Sequence, residues 1–159
     1  MLDAGRAHDV RLVGSRALMS LRLEKSFPSW GLDLGPDYTQ WDNSLARFVC
    51  LDKGEFTGRE AAKAARQNST HQQFVTLVVD AGDADATGGE AIYKDGAYAG
   101  YVTSGGYGYT TGESLALGYL GAGMVDPEAA YEVDVIGKLR EAHLSPSPRV
   151  DPDGMRMRS

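Results

Sequence analysis

Apolar residues in the first part of the chain recur at the spacing of a helix, with basic residues between them. The apolar positions are Leu12, Leu18, Met19 and Leu21. This pattern predicts a helix over residues 11–25, which Pro28 would end. A second helix is predicted over residues 58–67, where Thr57 and Glu60 have the spacing of a capping box. The segment between the two helices is rich in proline, glycine and aspartate, and it holds both tryptophans.

From residue 73 onward the pattern changes to short apolar and β-branched runs with turn residues between them. The predicted strands cover residues 74–79, 91–93, 98–104, 115–120, 131–136 and 138–144. Asp95-Gly96 separates the second strand from the third and is a strong signal for a tight hairpin turn. This spacing indicates a compact antiparallel barrel or sandwich. We predict an α+β fold in which a helix-containing part precedes a C-terminal antiparallel β-barrel.

Three regions follow from these changes in pattern. Residues 1–48 contain the first helix and the aromatic loop. Residues 49–72 form a connecting strand, predicted at 47–51, and the second helix. Residues 73–159 form the barrel and an extended tail that is rich in proline and arginine.

Charge and cysteine content narrow the classes of function. The formal net charge is −6 at pH 7, whereas a general nucleic-acid binder needs a basic face, so no nucleic-acid partner is expected. No apolar run approaches the roughly 20 residues that span a bilayer, so no membrane partner is expected either. Cys50 has no second cysteine to pair with, which favours a reducing, cytoplasmic setting. Its apolar neighbours predict a buried side chain.

The sequence offers no cluster of metal ligands. The histidines are scattered, without cysteine or carboxylate at ligand spacing. They are His8, His71 and His143. The glycine-rich run at 104–109 lacks the Gly-Lys-Ser/Thr ending of a phosphate-binding loop, so a wide turn is the favoured interpretation. We therefore expect neither a metal nor a phosphate-binding loop.

Glu24 has two alternative interpretations. It lies at the end of the first predicted helix, just before the aromatic loop. On a solvated face it would simply pair with Arg22 or Lys25, and composition favours that role. A carboxylate beside aromatic rings also suits a flat heterocycle with paired N–H donors, because both oxygens accept while the rings stack. A pterin has such a donor edge, and the residues alone leave both interpretations open.

Four blocks of the sequence carry recognisable motifs. The first is SLRLEK at 20–25, followed by WG at 30–31 and then Asp33. The second is KGEFTGREA at 53–61, and the others are GEAIY at 89–93 with GYVTSG at 100–105, and SLALGYL at 114–120. In this order they resemble the glycine cleavage system T-protein (aminomethyltransferase) family, with its "slRlEk…wG.D" and "K.dFiGreal" segments and its C-terminal barrel. The first block looks closest to the folate domain of dimethylglycine and sarcosine dehydrogenases.

The resemblance implies a folate site and a one-carbon transfer. In this family a one-carbon unit on an amine of the glycine, sarcosine or dimethylglycine type passes to tetrahydrofolate, which is therefore the implied cofactor. The glutamate of "RlE" holds the pterin, and here that residue is Glu24. The aromatic residue of "wG", Trp30, and the basic residue ahead of "dFiG", Lys53, would lie near the ligand.

The resemblance also implies that part of the family's architecture lies outside this sequence. The aspartate usually assigned to catalysis belongs to the N-terminal half of the folate-binding domain, so no catalytic residue is assigned here. Residues 1–48 would be the C-terminal remnant of that domain. The expected partners are folate and a chain carrying the missing half, or a second copy of this chain. The competing hypothesis is a non-catalytic barrel module that binds a separate protein, or a truncated remnant.

Overall fold

Six antiparallel strands close into a barrel in the C-terminal part of the chain. The computed structural model describes residues 2–67, 71–156 and 158. In chain order the strands are β1 (Gln73–Val79), β2 (Ala91–Lys94), β3 (Ala97–Gly108), β4 (Glu113–Leu120), β5 (Tyr131–Val135) and β6 (Lys138–Ser145). Around the barrel the order is β1, β4, β3, β2, β5, β6, and β6 pairs with β1 to close it. The predicted α+β fold with an antiparallel barrel is confirmed.

Alternating side chains fill the interior of the barrel. On β5, Tyr131, Val133 and Val135 are buried and the residues between them are partly exposed, as expected for a strand with one face inside. The β2–β3 hairpin turns at Asp95-Gly96, where φ is 51° and 75°. These angles match the type I′ turn for which Asp-Gly is preferred. The hairpin predicted from this dipeptide is therefore confirmed.

Three α-helices and two short 3₁₀ helices are described ahead of the barrel. They are α1 (Leu2–Gly5), α2 (Ser15–Glu24) and α3 (Arg59–Arg66), with 3₁₀ helices at Arg6–His8 and Ser44–Phe48. The second predicted helix is confirmed as α3. The prediction of a capping box is wrong, because the N-cap residue is Gly58, which has φ of 88° and makes no side-chain hydrogen bond. Glu60 pairs with Lys63 instead of reaching back to Thr57.

The strand predicted at 47–51 is wrong. Residues 47 and 48 lie in the 3₁₀ helix Ser44–Phe48. The side-chain oxygen of Asn43 caps this helix by accepting from the N–H of Leu45. Cys50 is exposed, which corrects the expectation of a buried thiol. An apolar run becomes a buried strand only where another strand pairs with it, and no described strand does so here.

Helix α2 is shorter than the predicted helix over 11–25. It begins after Gly14, whose backbone is extended. It ends before Pro28 is reached, because Ser26 adopts the left-handed conformation with φ of 53°. The N–H of Ser26 donates to Leu23 and that of the next residue donates to Arg22, each at 2.9 Å. These two bonds define a Schellman motif, a standard way to satisfy the last carbonyls of a helix.

The outer face of β4 is covered by α2. Seven of the eight residues of this strand are buried, which requires cover on both faces. Leu115 and Leu117 pack with Leu23 of α2 on the outside, while Ala116 and Leu120 belong to the barrel core. The helix and the barrel therefore share one continuous packed layer.

Asp33 ties the loop after α2 both to the helix and to the barrel. Its side chain is fully buried, and Oδ2 accepts from Arg22 Nη1 at 2.6 Å and from the N–H of Ser29 at 2.8 Å. Oδ1 accepts from the hydroxyls of Thr103 and Ser104 on β3. A buried carboxylate is tolerated only when it is paired and hydrogen-bonded, and here both oxygens are occupied.

A β-bulge lets two consecutive hydroxyls reach that carboxylate. Val102 pairs with Gly118, whereas Ser104 pairs with the preceding residue of β4. Thr103 is therefore the extra residue in the ladder. Adjacent side chains on a regular strand point to opposite faces, so the bulge is what places both hydroxyls on one side.

Asp42 makes a second junction, between the aromatic loop, the segment after α3 and β1. Oδ2 accepts from the N–H and the hydroxyl of Thr39, and Oδ1 accepts from the N–H of Gln72 and lies 3.1 Å from Nδ1 of His71. The carbonyl oxygen of Asp42 accepts from the N–H of Phe74 at 2.8 Å. Burial alone would raise the pKa of the Asp42 carboxyl, but the Thr39 and His71 contacts outweigh it and lower the pKa.

We predict that Asp33→Asn lowers the free energy of unfolding by about 3–5 kcal/mol, because Arg22 then keeps its buried charge without a counter-charge. Denaturant unfolding followed by circular dichroism measures this loss. The control is Asp83→Asn, since the Asp83 carboxylate is exposed and paired with Arg140 and Lys138 at the surface. Equal stability of wild type and Asp33→Asn would contradict the role given to Asp33.

We also predict that the junction at Asp42 is lost in acid. The pKa of Asp42 is lowered in the folded protein, so its stabilising contribution is complete above the ordinary carboxyl pKa of 3.8 and disappears as pH falls through the lowered value. The difference in unfolding free energy between wild type and Asp42→Asn should therefore shrink below about pH 4. Exposed Asp52→Asn is the control, and a pH-independent difference would refute the prediction.

Candidate functional site

Glu24 is buried beneath the turn that joins β3 to β4. Only 1% of its surface is exposed, and Oε1 accepts from the backbone N–H groups of Thr110 at 2.6 Å and Thr111 at 3.1 Å. Arg22 and Lys25, the expected surface partners, bind other carboxylates. The interpretation of Glu24 as a solvated ion-pair residue is therefore wrong. The carboxylate instead secures a turn that is distant in sequence.

Helix α2 holds this turn at two points, and a glycine makes room for the contact. Ser20 lies one helical turn before Glu24 on the same face, and its hydroxyl donates to the carbonyl oxygen of Tyr107 at 2.8 Å. At Gly108, a Cβ would lie 3.0 Å from Glu24 Oε1 and 2.7 Å from the hydroxyl of Thr111. The close approach of the carboxylate thus depends on glycine at this position. We call residues 108–112 the β3–β4 turn.

The other two predicted site residues lie on the surface. Trp30 is 77% exposed and forms an isolated backbone bridge with Leu34. Lys53 is exposed, with its ammonium 4.6 Å from the centre of the Phe56 ring. Within the described part of the chain, no hydrogen bond or ion pair joins either residue to Glu24. The assignment of all three residues to one folate site stays a prediction.

The remaining aromatic residues of the loop anchor it to the barrel and to α3. The ring of Tyr38 stacks on Tyr119 of β4, with centroids 4.0 Å apart and an interplanar angle of 8°. Tyr119 donates its hydroxyl hydrogen to the carbonyl oxygen of Asp33, and burial raises its pKa to about 12. Trp41 donates its indole N–H to the carbonyl oxygen of Ala62 at 2.9 Å. Sequence patterns did not distinguish these anchors from exposed Trp30.

Two open grooves lie near these elements. The larger, about 900 Å³, is bordered by the loop after α2, by β1 and by the C-terminal tail, with Lys25, Phe27, Arg47 and Phe74 among its lining residues. None of Glu24, Trp30 and Lys53 lines it. The smaller, about 730 Å³, lies against β1, β5 and β6. Its acidic lining residues are Asp80, Asp95, Glu128, Glu132 and Glu141.

The described residues contain neither a membrane-spanning helix nor a cluster of metal-ligand side chains. No described helix has the length and apolar character needed to cross a bilayer. In residues 2–67, 71–156 and 158, no group of three or more histidine, cysteine, aspartate or glutamate side chains could hold a metal ion.

The chemistry of Glu24 fits a ligand that presents N–H donors. A carboxylate has two acceptor oxygens, and both turn amides use the same one, Oε1. No hydrogen bond identified between described residues uses the second oxygen, Oε2, and only 1% of the residue's surface is exposed. The donor edge of a pterin is chemically complementary to a carboxylate oxygen, and the assignment of Glu24 to such a ligand stays a prediction.

Two protein-family models match the sequence. Residues 72–151 match the glycine cleavage T-protein C-terminal barrel domain, and residues 1–53 match the GCVT N-terminal domain. The first match covers the whole of the described barrel, β1 to β6.

Individual relatives agree with the family models. The chain is 37% identical to an aminomethyltransferase of Moorella thermoacetica, over 93% of this chain and 40% of that protein. It is 32% identical to human mitochondrial dimethylglycine dehydrogenase, over 94% of this chain and 17% of that protein. The crystal structure of aminomethyltransferase T of the glycine cleavage system from Bartonella henselae superposes with a TM-score of 0.82 at 27% identity, covering 95% of this chain and 43% of that one.

The chain thus spans less than half the length of each of these relatives. The resemblance drawn from the motifs, including its similarity to dimethylglycine dehydrogenase, is confirmed. With the barrel-domain match alone covering half of the sequence, this chain belongs to the glycine cleavage T-protein (aminomethyltransferase) family.

Proposed function

We propose that this chain provides the folate-binding side of a one-carbon transfer from an amine to tetrahydrofolate. The observation that carries the proposal is the carboxylate of Glu24, whose Oε1 accepts from two backbone amides while no hydrogen bond identified between described residues uses Oε2. The amine is of the glycine, sarcosine or dimethylglycine type. Two of the relatives carry the names aminomethyltransferase and dimethylglycine dehydrogenase, which supports this class of donor.

Each proposed site residue has a separate role. Glu24 accepts hydrogen bonds from the pterin, and Trp30 offers an aromatic face to the heterocycle. Lys53 contributes a mobile positive charge near the ligand. Tetrahydrofolate itself would supply the amine nitrogens that receive the one-carbon unit. This chain orients the pterin, and we assign no catalytic residue to it.

A second candidate function is a non-catalytic module that binds another protein. The burial of Glu24 favours it, because a carboxylate with 1% exposure serves a structural role even without folate. The two functions differ in a direct measurement. Calorimetric titration of this chain with tetrahydrofolate gives saturable heat if the chain binds folate and none if it is only a protein-binding module.

We further propose a partner for the surface formed by α2 and its flanking segments. Large apolar side chains are exposed there, and residues 2–18 contain no buried residue. The exposed members include Leu12, Val13, Leu18, Leu21 and Trp30. We propose that these side chains form one apolar surface, of the kind that marks an interaction site. Because residues 1–53 match the GCVT N-terminal domain, the proposed occupant is a polypeptide carrying the rest of such a domain.

Glu24→Gln should weaken the binding of tetrahydrofolate by about 2–4 kcal/mol, which is roughly 30- to 1000-fold. The amide oxygen can still accept from the turn, but the new NH₂ group then faces the ligand's own donors. Calorimetry measures the loss. The matched control is Glu90→Gln, since Glu90 also accepts from turn amides, those of Thr87 and Gly88, but lies outside the proposed site.

Within the same titration, Lys53→Ala should cost less than Glu24→Gln, because a flexible surface ammonium contributes modestly. Unchanged folate affinity in Glu24→Gln would remove the residue on which the folate site depends. The family membership would then account for the fold alone.

The apolar surface formed by α2 and its flanking segments predicts that the isolated chain associates with itself. Light scattering should give a mass above the 17.1 kDa of one chain. The side chains of Leu18 and Leu21 are 60% and 50% exposed, and association would remove this apolar surface from water. Leu18→Glu with Leu21→Glu should shift the mass towards the monomer. Leu139→Glu is the matched control, since Leu139 is 57% exposed but lies on the barrel. A wild-type monomer at all concentrations would count against the proposed surface.

A further inference from the structure

The β3–β4 turn makes more contacts with Glu24 than the closure of a hairpin requires. The turn closes on its own, because the N–H of Gly112 donates to the carbonyl oxygen of Gly108 at 2.8 Å. Nevertheless, the next two N–H groups inside it, from Thr110 and Thr111, both point to one oxygen of Glu24. The geometry therefore concentrates two donors on a single carboxylate oxygen and leaves the other oxygen outside the contact.

Two fixed donors hold one oxygen of the carboxylate in place. A glutamate side chain has several rotatable bonds, and immobilising such a side chain costs conformational entropy. Bonds from backbone N–H groups to a carboxylate are charge-assisted and stronger than neutral ones. Folding therefore orders Glu24 before any ligand binds. The entropy of ordering this side chain is then not lost again on ligand binding.

We propose that the β3–β4 turn is the positioning element of the folate site, with the amides of Thr110 and Thr111 directing the second oxygen of Glu24 to the pterin and Gly108 admitting the carboxylate. This inference rests on the proposed function, and it adds residues of the barrel to a site otherwise built from Glu24, Trp30 and Lys53. Gly108, Thr110 and Thr111 act through Glu24 and not by contact with the ligand.

Gly108→Ala tests the proposal through one added methyl group. The new Cβ would lie 2.7 Å from the hydroxyl oxygen of Thr111, 3.0 Å from Glu24 Oε1 and 3.1 Å from Glu24 Cγ, so the Thr111 side chain and the Glu24 carboxylate must both shift. The backbone at Gly108 does not have a positive φ, so alanine introduces no backbone strain there. Gly35→Ala is the matched control, because a Cβ at Gly35 meets no atom within 4 Å and its φ is not positive either.

Two measurements are made on each variant. Amide NMR spectra follow the N–H resonances of Thr110 and Thr111, which report directly on the bonds to Glu24. Calorimetry with tetrahydrofolate follows affinity. In Gly108→Ala both amide resonances should move and affinity should fall about 5- to 30-fold, the equivalent of the ordering entropy of one long side chain, about 1–2 kcal/mol. Gly35→Ala should change neither measurement.

The result that overturns the positioning role is displaced Thr110 and Thr111 resonances with unchanged folate affinity in Gly108→Ala. If Glu24→Gln still weakens binding in that case, the proposed function survives without its positioning element. If Glu24→Gln has no effect either, or if the wild-type chain does not bind tetrahydrofolate, both proposals fail.

A second variant keeps the test valid if Gly108→Ala does not fold. Ser20→Ala removes the hydroxyl that holds the carbonyl oxygen of Tyr107 and adds no atom to the turn. It should loosen the same turn, move the same two amide resonances and lower affinity in the same direction, by less than Gly108→Ala. Displaced resonances with wild-type affinity would again overturn the proposal.

Discussion

The buried carboxylate of Asp33 is the interaction on which the arrangement of this chain depends. It is fully buried, yet it joins three elements that are separate in sequence: α2 through Arg22, the loop through Ser29, and β3 through two hydroxyls. Removing a charge from water is costly, so such a group persists only where its partners are held in good geometry. Arg22 pairs through Nη1, while its buried Nε and Nη2 have no partner in the described structure. The junction therefore specifies where the loop docks more than it adds to net stability.

This constraint fixes α2, and α2 in turn fixes Glu24. Along the SLRLEK segment, Ser20 and Glu24 hold the β3–β4 turn, Arg22 holds Asp33, and Leu23 packs against the outer face of β4. Lys25 closes the segment by pairing with Asp151 of the tail. The exposed residue among them is Leu21, which lies on the surface proposed to receive a partner. A helix of ten residues is thus held from several sides, so the orientation of its last residue is a property of the whole fold.

Local sequence signals predicted the elements of this fold, but not the contacts that assemble the site. The Asp95-Gly96 turn and the strand pattern predicted the hairpin and the barrel because both depend on neighbouring residues. The segment 47–51 and Cys50 were wrongly predicted because burial there required a pairing strand that the fold does not provide. Glu24 meets amides 86 and 87 residues away, and Asp33 meets hydroxyls 70 and 71 residues away. The bulge at Thr103 has no local signal, so no pattern of apolar spacing could have indicated that junction.

These contacts change what the family motif means in physical terms. An arginine, a glutamate and an aspartate in "slRlEk…wG.D" invite assignment to a ligand, yet in this chain the arginine and the aspartate bind each other in the interior. The glutamate uses one oxygen, Oε1, to accept from the amides of the β3–β4 turn. Under the proposed function the same residue secures the turn and receives the pterin, which couples folding to binding, because any change that releases Glu24 from the amides alters both. The ligand contact proposed for the motif is therefore made by one carboxylate oxygen, and the surrounding residues serve to keep that oxygen in place.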